Sequence, residues 1–441
     1  MADDSRPDRT GGERPQAFAL LDEGNDAATR LEGVEALGTP SSSMAGSERR
    51  IADRLLRVVL TDEDAAVRAA AIDALYFHGD RYVDELVSRV AAAVRRRDSG
   101  DDPAAVFARW LTSDHAAYRM VGATGLGAAG SEDLRGAPEA ASPPNAAGPP
   151  SAAGYPDATA RLREAFDDGD ARVRARAVRS YAALGGDRVA PIRPLLRAPN
   201  ALVRRAAVDA LVSIGTPDAT DLLATAADNG SDRLRETVVE RLRDLDRPES
   251  AAVLLDALRD PSPAVRRAAA ASLSRLVAAG DAVRGRDVRE RLVTDRPLRS
   301  DADDGALARL LYEVASDEGV DGVTSATARH AMWLCCELIE HDEGGSESGR
   351  TAVSRLIDAL AHDDPYVADI AAAYLPRLDA TELEREARAL AADAEADPDA
   401  RERARSVLRR LKRQTAASAA DRSIEYTYVR RPADYTEKHA E

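Results

Sequence analysis

The chain has 441 residues, 44% of them hydrophobic and only 4% aromatic, with a formal net charge of −16. Apolar content dominated by Ala, Leu and Val is typical of helical proteins and argues against a sheet protein. The acidic balance argues against a nucleic-acid partner, two cysteines exclude a disulfide framework and suit a cytoplasmic protein, and neither a membrane span nor a secretory leader is expected.

Residues 1–15 are predicted to be a disordered N-terminus, and a repeating pattern begins at residue 16. Every copy except the one preceded by His115 has a helix-capping residue three positions before an apolar anchor, and an Arg usually follows the anchor. Most copies have a small residue four positions after the anchor and Leu eight positions after it. In the N-terminal repeats, residues 16–127, the anchors are Thr29, Val67 and Tyr118. Residues 128–156 contain GAPEAASPPNAAGPPSAAGYP, which is predicted to be a disordered loop.

Residues 157–279 hold the most regular copies. Their anchors Val173, Val203, Leu234 and Val265 are 30, 31 and 31 residues apart. Each copy follows a shorter apolar helix, so each repeat is predicted to be a helical hairpin that buries its core by stacking on its neighbours. The sequence therefore predicts an all-α protein, an α-solenoid of stacked helical hairpins.

The pattern weakens over residues 280–345, where two degenerate repeats are expected, with helices over Asp304–Ser316 and Thr324–His341. It returns in the C-terminal repeats, residues 346–413, with anchors Val367 and Ala400. Residues 414–441 form a tyrosine-containing tail, whose alternating apolar positions predict an extended strand that either caps the last repeat or docks on a partner. The candidate partner-binding residues there are Ile424, Tyr426, Tyr428, Arg430, Arg431 and Tyr435.

These columns resemble HEAT repeats in their short version, which is similar to the repeats of phycobilin lyases. In that family a turn Asp and the Arg of the second helix form a ladder between neighbouring repeats. The resemblance implies a ladder role for Asp64, Arg68, Asp170, Arg174, Asn200, Arg204, Arg235, Arg266 and Arg401. Arg119 also matches the Arg column, whereas Ala368 departs from it.

No motif for catalysis, a cofactor or a metal stands out. Cys335 and Cys336 lie near His330 and His341, but at helical spacing the two cysteines project away from the face shared by the histidines, which favours a buried structural role. Seven cations between Arg401 and Arg413 could attract phosphate or an acidic partner, although pairing with nearby carboxylates such as Glu386 and Glu402 explains them as well. We expect no catalytic residues, no cofactor and no metal.

Only Lys412 and Lys438 are lysines, and Asp and Arg dominate the charged residues. This composition resembles that of proteins from salt-loving archaea, although GC-biased codon usage could also produce it. Together with the short repeats it resembles haloarchaeal HEAT proteins associated with taxis signalling, which implies contacts with taxis proteins and accessory proteins of the archaellum motor. The prediction is a non-enzymatic, cytoplasmic adaptor; the alternatives are a lyase or maturation factor for a bound chromophore and a nucleic-acid-binding HEAT protein.

Overall fold

The computed structural model describes residues 13–38, 48–96, 102–136, 156–294, 306–316, 323–341, 346–378 and 382–427. The described residues are helices joined by turns, without a strand, which confirms the all-α fold class. The chain divides into two compact units, Met1–Leu223 and Ala224–Glu441. Helix α11, Pro217–Asn229, contains the boundary between them.

The N-terminal unit is a series of helical hairpins. Its second helices α2, α4, α7, α9 and α10 pack on one another in chain order, as an α-solenoid requires. Two 3-10 turns, Ala165–Asp167 and Arg193–Arg197, precede α9 and α10. The helices are α1 Glu13–Leu20, α2 Ala27–Gly38, α3 Glu48–Thr61, α4 Ala65–His78, α5 Asp80–Arg96, α6 Pro103–Trp110, α7 Ala116–Gly136, α8 Pro156–Glu164, α9 Ala171–Ala183 and α10 Ala201–Ile214.

The C-terminal unit repeats this arrangement, with α12, α14, α17, α19 and α21 packed in series. Helix α15 packs against α14 and α17, and α16 forms a hairpin with α17. The helices are α12 Asp232–Leu242, α13 Pro248–Ala257, α14 Pro263–Ala279, α15 Gly285–Thr294, α16 Ala306–Ser316, α17 Ser325–Glu340, α18 Ser346–Asp358, α19 Pro365–Tyr374, α20 Leu383–Ala392 and α21 Pro398–Thr427.

The helix starts follow from the capping residues. The Asp64 carboxylate accepts hydrogen bonds from the N–H groups of Ala66 and Val67 at 2.8 and 3.0 Å. Ser231 and Ser262 also precede helices, but their hydroxyls make no capping hydrogen bond, contrary to the prediction. Side-chain caps of the predicted kind are present at Asp26, Asp64, Asp170, Asn200, Asp364 and Asp397.

The apolar columns form the core, as the repeat pattern predicts. The Leu eight positions after the anchor is at most 3% exposed in Leu37, Leu75, Leu126, Leu211, Leu242, Leu273 and Leu375. The small residue four positions after the anchor is fully buried in Ala71, Ala177, Ala207, Ala269, Ala371 and Ala404. A methyl group at this position allows neighbouring helices to lie close together.

The structure changes or extends four of the predictions made from the sequence. Helix α1 begins at Glu13, within the segment predicted to be disordered. Helix α7 continues to Gly136, so the predicted loop does not begin at residue 128, and residues 137–155 lie outside the described residues. The helices expected over 304–316 and 324–341 are present as α16 and α17 and make one of the two expected degenerate hairpins. Helix α21 runs to Thr427, so the extended strand expected from Ile424 is wrong for the described part of the tail.

Candidate interaction surfaces

The arginine column binds the turn that precedes its own helix. In seven repeats the Nη1 atom donates to a backbone carbonyl five or six residues earlier in the chain. Helix turns leave such carbonyls without partners, and a guanidinium satisfies them at a fixed distance from the helix. The seven arginines are Arg30, Arg68, Arg119, Arg174, Arg204, Arg235 and Arg266.

Three of these arginines also reach the next repeat and form the ladder. Arg119 donates from Nε and Nη2 to the two carboxylate oxygens of Asp168, at 2.7 and 3.0 Å. Arg235 binds Asp260 in the same bidentate way at 2.7 and 2.8 Å, and Arg30 binds Asp62 at 2.8 and 3.0 Å. Bidentate pairs of this kind fix orientation as well as distance.

In the three bidentate pairs, the ladder acid is not the capping residue. Asp62 and Asp168 lie two positions before the caps Asp64 and Asp170, and each also accepts the backbone N–H of its cap, at 2.9 and 2.8 Å. Asp64, Asp170 and Asn200 are instead helix caps, which corrects the ladder role inferred from the family resemblance. One carboxylate thus joins the preceding repeat to the start of the next helix.

The ladder is incomplete where the next turn lacks an acid. Arg68 donates from Nε to the hydroxyl of Tyr118 at 2.7 Å, because Ser113 occupies the acid position before α7. In the C-terminal unit, Arg329 pairs with the cap Asp364 itself at 2.7 Å. Arg401, in the last repeat, has a buried Nε atom without a hydrogen-bond partner among the described residues.

A groove lies along the second helices of the C-terminal unit. It encloses about 430 Å³ and is lined by Val277, Gly285, Arg329, His330, Trp333 and Ile370. Gly285 contributes by its lack of a side chain, because a Cβ there would stand 3.0 Å from the Trp333 ring. The indole ring is therefore held against the start of α15.

A second cleft, of about 610 Å³, adjoins the groove at Arg329 and is bordered by the α19 start. Tyr366 is 61% exposed there, and the Arg329 guanidinium lies 4.2 Å from the centre of its ring. Burial alone would raise the pKa of the Asp364 carboxyl, but the hydrogen bonds from Arg329 and the Tyr366 N–H hold its pKa below the ordinary value. We call the two clefts together the Arg329 groove.

The two cysteines are fully buried, which confirms their predicted burial. Cys335 donates to the carbonyl of Ala308 at 3.1 Å, and burial raises the pKa of its thiol to about 12. Burial also raises the pKa of the Cys336 thiol well above its ordinary value. Neither thiol is suited to act as a nucleophile or a thiolate ligand at neutral pH.

Among the described residues, the side chains of Glu337, Glu340 and His341 come close enough together to hold a metal ion, within 4.8 Å of one another. Arg289 and Tyr374 both donate to the Glu337 carboxylate, and Arg377 pairs with Glu340 at 3.2 Å. These guanidiniums supply the positive charge that a cation would bring, so the arrangement has the chemistry of a structural ion-pair cluster.

Three arginines of the cation-rich final helix pair with carboxylates on this helix or on α19. Arg409 and Arg405 lie 2.9 and 3.5 Å from Glu402, and Arg403 lies 3.0 Å from Asp369. Of the candidate tail residues, Ile424 and Tyr426 lie within α21. Tyr428, Arg430, Arg431 and Tyr435 lie outside the described residues.

Residues 159–243 and 222–302 match the family model described as HEAT repeats. Residues 159–302 therefore carry HEAT repeats. No protein with a curated description matches the sequence. Among the described residues, no helix is both long and apolar enough to cross a membrane.

Three solved structures are similar to this chain at low sequence identity. An engineered protein is 17% identical over 91% of this chain and 99% of its own, with a TM-score of 0.45. YibA of E. coli is 16% identical over 77% of this chain and 98% of its own, with a TM-score of 0.38. The complex of CpcE and CpcF of phycocyanin lyase from Nostoc sp. PCC7120 is 16% identical over 72% of this chain and 97% of its matched chain, with a TM-score of 0.29.

Sequence reasoning on the HEAT columns missed the Arg329 groove. Tyr366 lies two positions after its cap, next to the buried anchor Val367, and reads as core in a sequence. The available signal was a large aromatic residue one position before an apolar anchor, which places it away from the buried stripe of a helix. Trp333 gave no such signal, because the residue it packs against, Gly285, lies at the start of α15, about fifty residues earlier.

Proposed function

We propose that this HEAT-repeat protein is a non-enzymatic adaptor that binds another protein in the Arg329 groove. The observation that carries the proposal is the exposed Tyr366 ring, with the Arg329 guanidinium over its face and an apolar cavity lined by Trp333 beside it. Trp, Tyr and Arg are the residues that most often dominate the energy of protein interfaces. A bound segment would remove both rings from water while Asp364 keeps Arg329 in place.

The absence of an enzymatic role is part of the proposal. The two thiols are buried and protonated, and Glu337 is engaged by Arg289 and Tyr374. The net charge of −16 also opposes phosphate binding, which disfavours a nucleic-acid partner.

We further propose that the partner is a taxis protein or an accessory protein of the archaellum motor, and that the adaptor works in the cytoplasm of a salt-loving archaeon. The support is the resemblance of the acidic composition and short repeats to haloarchaeal HEAT proteins associated with taxis signalling. This assignment concerns the identity of the partner and can fail without the adaptor role failing.

Affinity capture with matched variants tests both statements. The bait is the full chain, exposed to a salt-loving archaeal extract at the salt concentration of the cytoplasm. Tyr366→Ala should lower the recovery of the partner about tenfold or more, as expected for an interface hot spot. Phe77→Ala is the control, because Phe77 is 62% exposed and aromatic but lies in the N-terminal unit.

Recovery of taxis or motor proteins by the wild-type chain and the Phe77→Ala variant, and not by the Tyr366→Ala variant, supports the full proposal. If other proteins are recovered, and their recovery is lost in Tyr366→Ala but not in Phe77→Ala, only the adaptor role is supported. Recovery of nucleic acid or a tetrapyrrole alone, or equal recovery by both variants, contradicts the proposal.

A further inference from the structure

The last repeat, α20–α21, ends the described stack of the C-terminal unit. The Leu column is at most 3% exposed in Leu37, Leu75, Leu126, Leu211, Leu242, Leu273 and Leu375. In the last repeat, Leu408 occupies the same position but is only half-buried, as is Leu411 one turn later. The apolar face that other repeats bury is therefore partly open at this end.

Arg401 carries the second sign of an open end. It occupies the ladder column, four residues after the cap Asp397, where Arg119 and Arg235 use Nε to bind the acid of the following turn. The Nε of Arg401 is buried and has no acceptor among the described residues. A guanidinium N–H shielded from water without an acceptor is costly, so the site favours an incoming anionic group.

The ladder itself specifies which group fits. In the pairs Arg119–Asp168 and Arg235–Asp260, the acid lies two residues before a helix cap and also accepts the cap N–H. We propose that the α20–α21 end binds a helical hairpin of a partner protein. That hairpin places an Asp or Glu, two residues before a helix cap, on Arg401 and apolar residues over Leu408 and Leu411.

A second copy of this chain lacks the required acid two residues before the cap of its first described turn. The residue two positions before the cap Asp26 is Gly24, which has no carboxylate. Head-to-tail stacking of two copies through this turn would therefore leave Arg401 unpaired.

The proposal extends the adaptor function to a second surface and uses no residue of the Arg329 groove. Loss of binding in Tyr366→Ala and loss in Arg401→Gln are therefore separate results. Either surface can fail its test while the other passes.

The probe is a fluorescein-labelled peptide of residues 248–279, which is the α13–α14 hairpin of this chain and carries Asp260 as its ladder acid. Fluorescence anisotropy should show that it binds the full chain. Arg401→Gln in the chain, or Asp260→Asn in the peptide, should each weaken binding about tenfold or more, because each removes the charged hydrogen bonds. Arg410→Gln is the matched control, with the same charge change on an exposed position of the same helix. It should change affinity less than about twofold.

The same hairpin fused after Glu441 removes any dependence on how well the free peptide folds. The fusion should raise the melting temperature of the chain, and Arg401→Gln should abolish that gain while leaving the unfused chain nearly unchanged. If neither the free nor the fused hairpin responds to Arg401→Gln, the proposal is wrong. If hairpin binding appears only after deletion of residues 428–441, the tail is the occupant and a partner hairpin is excluded.

Discussion

Asp62, Asp168 and Asp260 each join two repeats through a single side chain. One oxygen accepts the N–H of the following helix cap, and both oxygens receive the arginine of the preceding repeat. The carboxylate therefore holds the first turns of two neighbouring helices at the same point. A charged pair that is largely screened from water and fully hydrogen-bonded is the favourable case for an ion pair.

The Arg119–Asp168 pair should show this coupling in a double-mutant cycle. Asp168→Asn keeps an oxygen for the cap N–H of Asp170, so the cycle with Arg119→Gln isolates the charged pair. The expected coupling energy is about 1 to 2 kcal/mol, measured by urea denaturation. The side chains are 21% and 12% exposed, which keeps the value at the lower end for charged hydrogen bonds.

Arg174→Gln is the control for that cycle, because the residue two positions before the next cap is Ala198 and offers no acid. Combined with Asp168→Asn it removes only a bond from Arg174 to a backbone carbonyl, so little coupling is expected. A coupling energy near zero for Arg119 and Asp168 would contradict the structural importance of the ladder.

Glu337 should make the stability of the C-terminal unit depend on acid pH. Burial opposes ionisation of this carboxyl, but hydrogen bonds from Tyr374 and Arg289, with His341 nearby, lower its pKa below the ordinary 4.5. The ionised carboxylate therefore stabilises the folded state fully when the pH is above about 4.5. This stabilisation is lost as the pH falls through the folded-state pKa. Glu337→Gln should cost about 2 kcal/mol at pH 7 and progressively less below pH 4.5.

Urea denaturation across pH 3 to 7 measures the difference between the wild type and the variant. Glu313→Gln serves as the control, because its side chain is 45% exposed and its oxygen lies 3.8 Å from Arg309. If the loss of unfolding free energy in Glu337→Gln does not change with pH, the ionised Glu337 carboxylate does not account for the stabilisation.

At the level of elements, helices α6 and α7 meet at backbone distance. A Cβ on Gly122 would lie 2.6 Å from the Leu111 nitrogen and 2.8 Å from the Phe107 oxygen. Ala normally stabilises a helix interior by about 1 kcal/mol relative to Gly. Here the added Cβ would clash with backbone atoms, which cannot rotate aside. This clash outweighs the better helix propensity of Ala, so the substitution is expected to destabilise the protein.

Gly122→Ala should therefore destabilise the N-terminal unit by about 2 kcal/mol, despite its better helix propensity. Thermal unfolding with circular dichroism measures the change. Gly169→Ala, where a Cβ would meet no atom within 4 Å, should lie within about 0.5 kcal/mol of the wild type. A stabilised Gly122→Ala would mean that α6 can move away from α7.

The sequence predicted those elements whose causes are local. The caps Asp64 and Asp170, the buried anchors and the leucine column follow from spacing within one helix, and the structure contains them. The ladder acid could not be assigned in the same way, because its role depends on an arginine tens of residues away. An acid two positions before a cap, as in Asp62 and Asp168, is the only local trace.

The tail prediction failed for a physical reason. The alternation of Ile424 and Tyr426 suggested a strand, but α21 begins at a capped turn and meets neither Pro nor Gly before Thr427. Once a helix is nucleated, adding residues costs little, so propagation outweighs a short alternating pattern. The Arg329 groove was missed because its walls come from distant helices and turns.

For the whole molecule, repeat regularity and compactness follow different boundaries. The repeats with near-constant spacing span residues 157–279, yet the compact units divide between Leu223 and Ala224, inside α11. In a solenoid each repeat contacts mainly its neighbours, so the division of contacts need not coincide with a change in sequence pattern. The boundaries drawn from the sequence therefore remain predictions of where the repeats are regular and where they are degenerate.

The net charge of −16 should make the stability of the whole chain depend on salt. Surplus carboxylates repel one another in the compact state, and this repulsion is screened as the Debye length falls from about 8 Å at 0.15 M to about 3 Å at 1 M. Ladder pairs such as Arg235–Asp260, with side chains 11% and 8% exposed, are screened much less and keep their attraction. The melting temperature should therefore rise from 0.15 M to 2 M KCl by several degrees.

Differential scanning calorimetry over this range measures the rise. A variant with Glu35→Gln, Asp363→Asn and Glu395→Gln removes three carboxylates from exposed positions. Because less repulsion remains to be screened, it should be more stable than the wild type in low salt and show a shallower salt dependence. A melting temperature that falls with KCl would mean that surface ion pairs outweigh the repulsion, and the acidic composition would then not be an adaptation to salt.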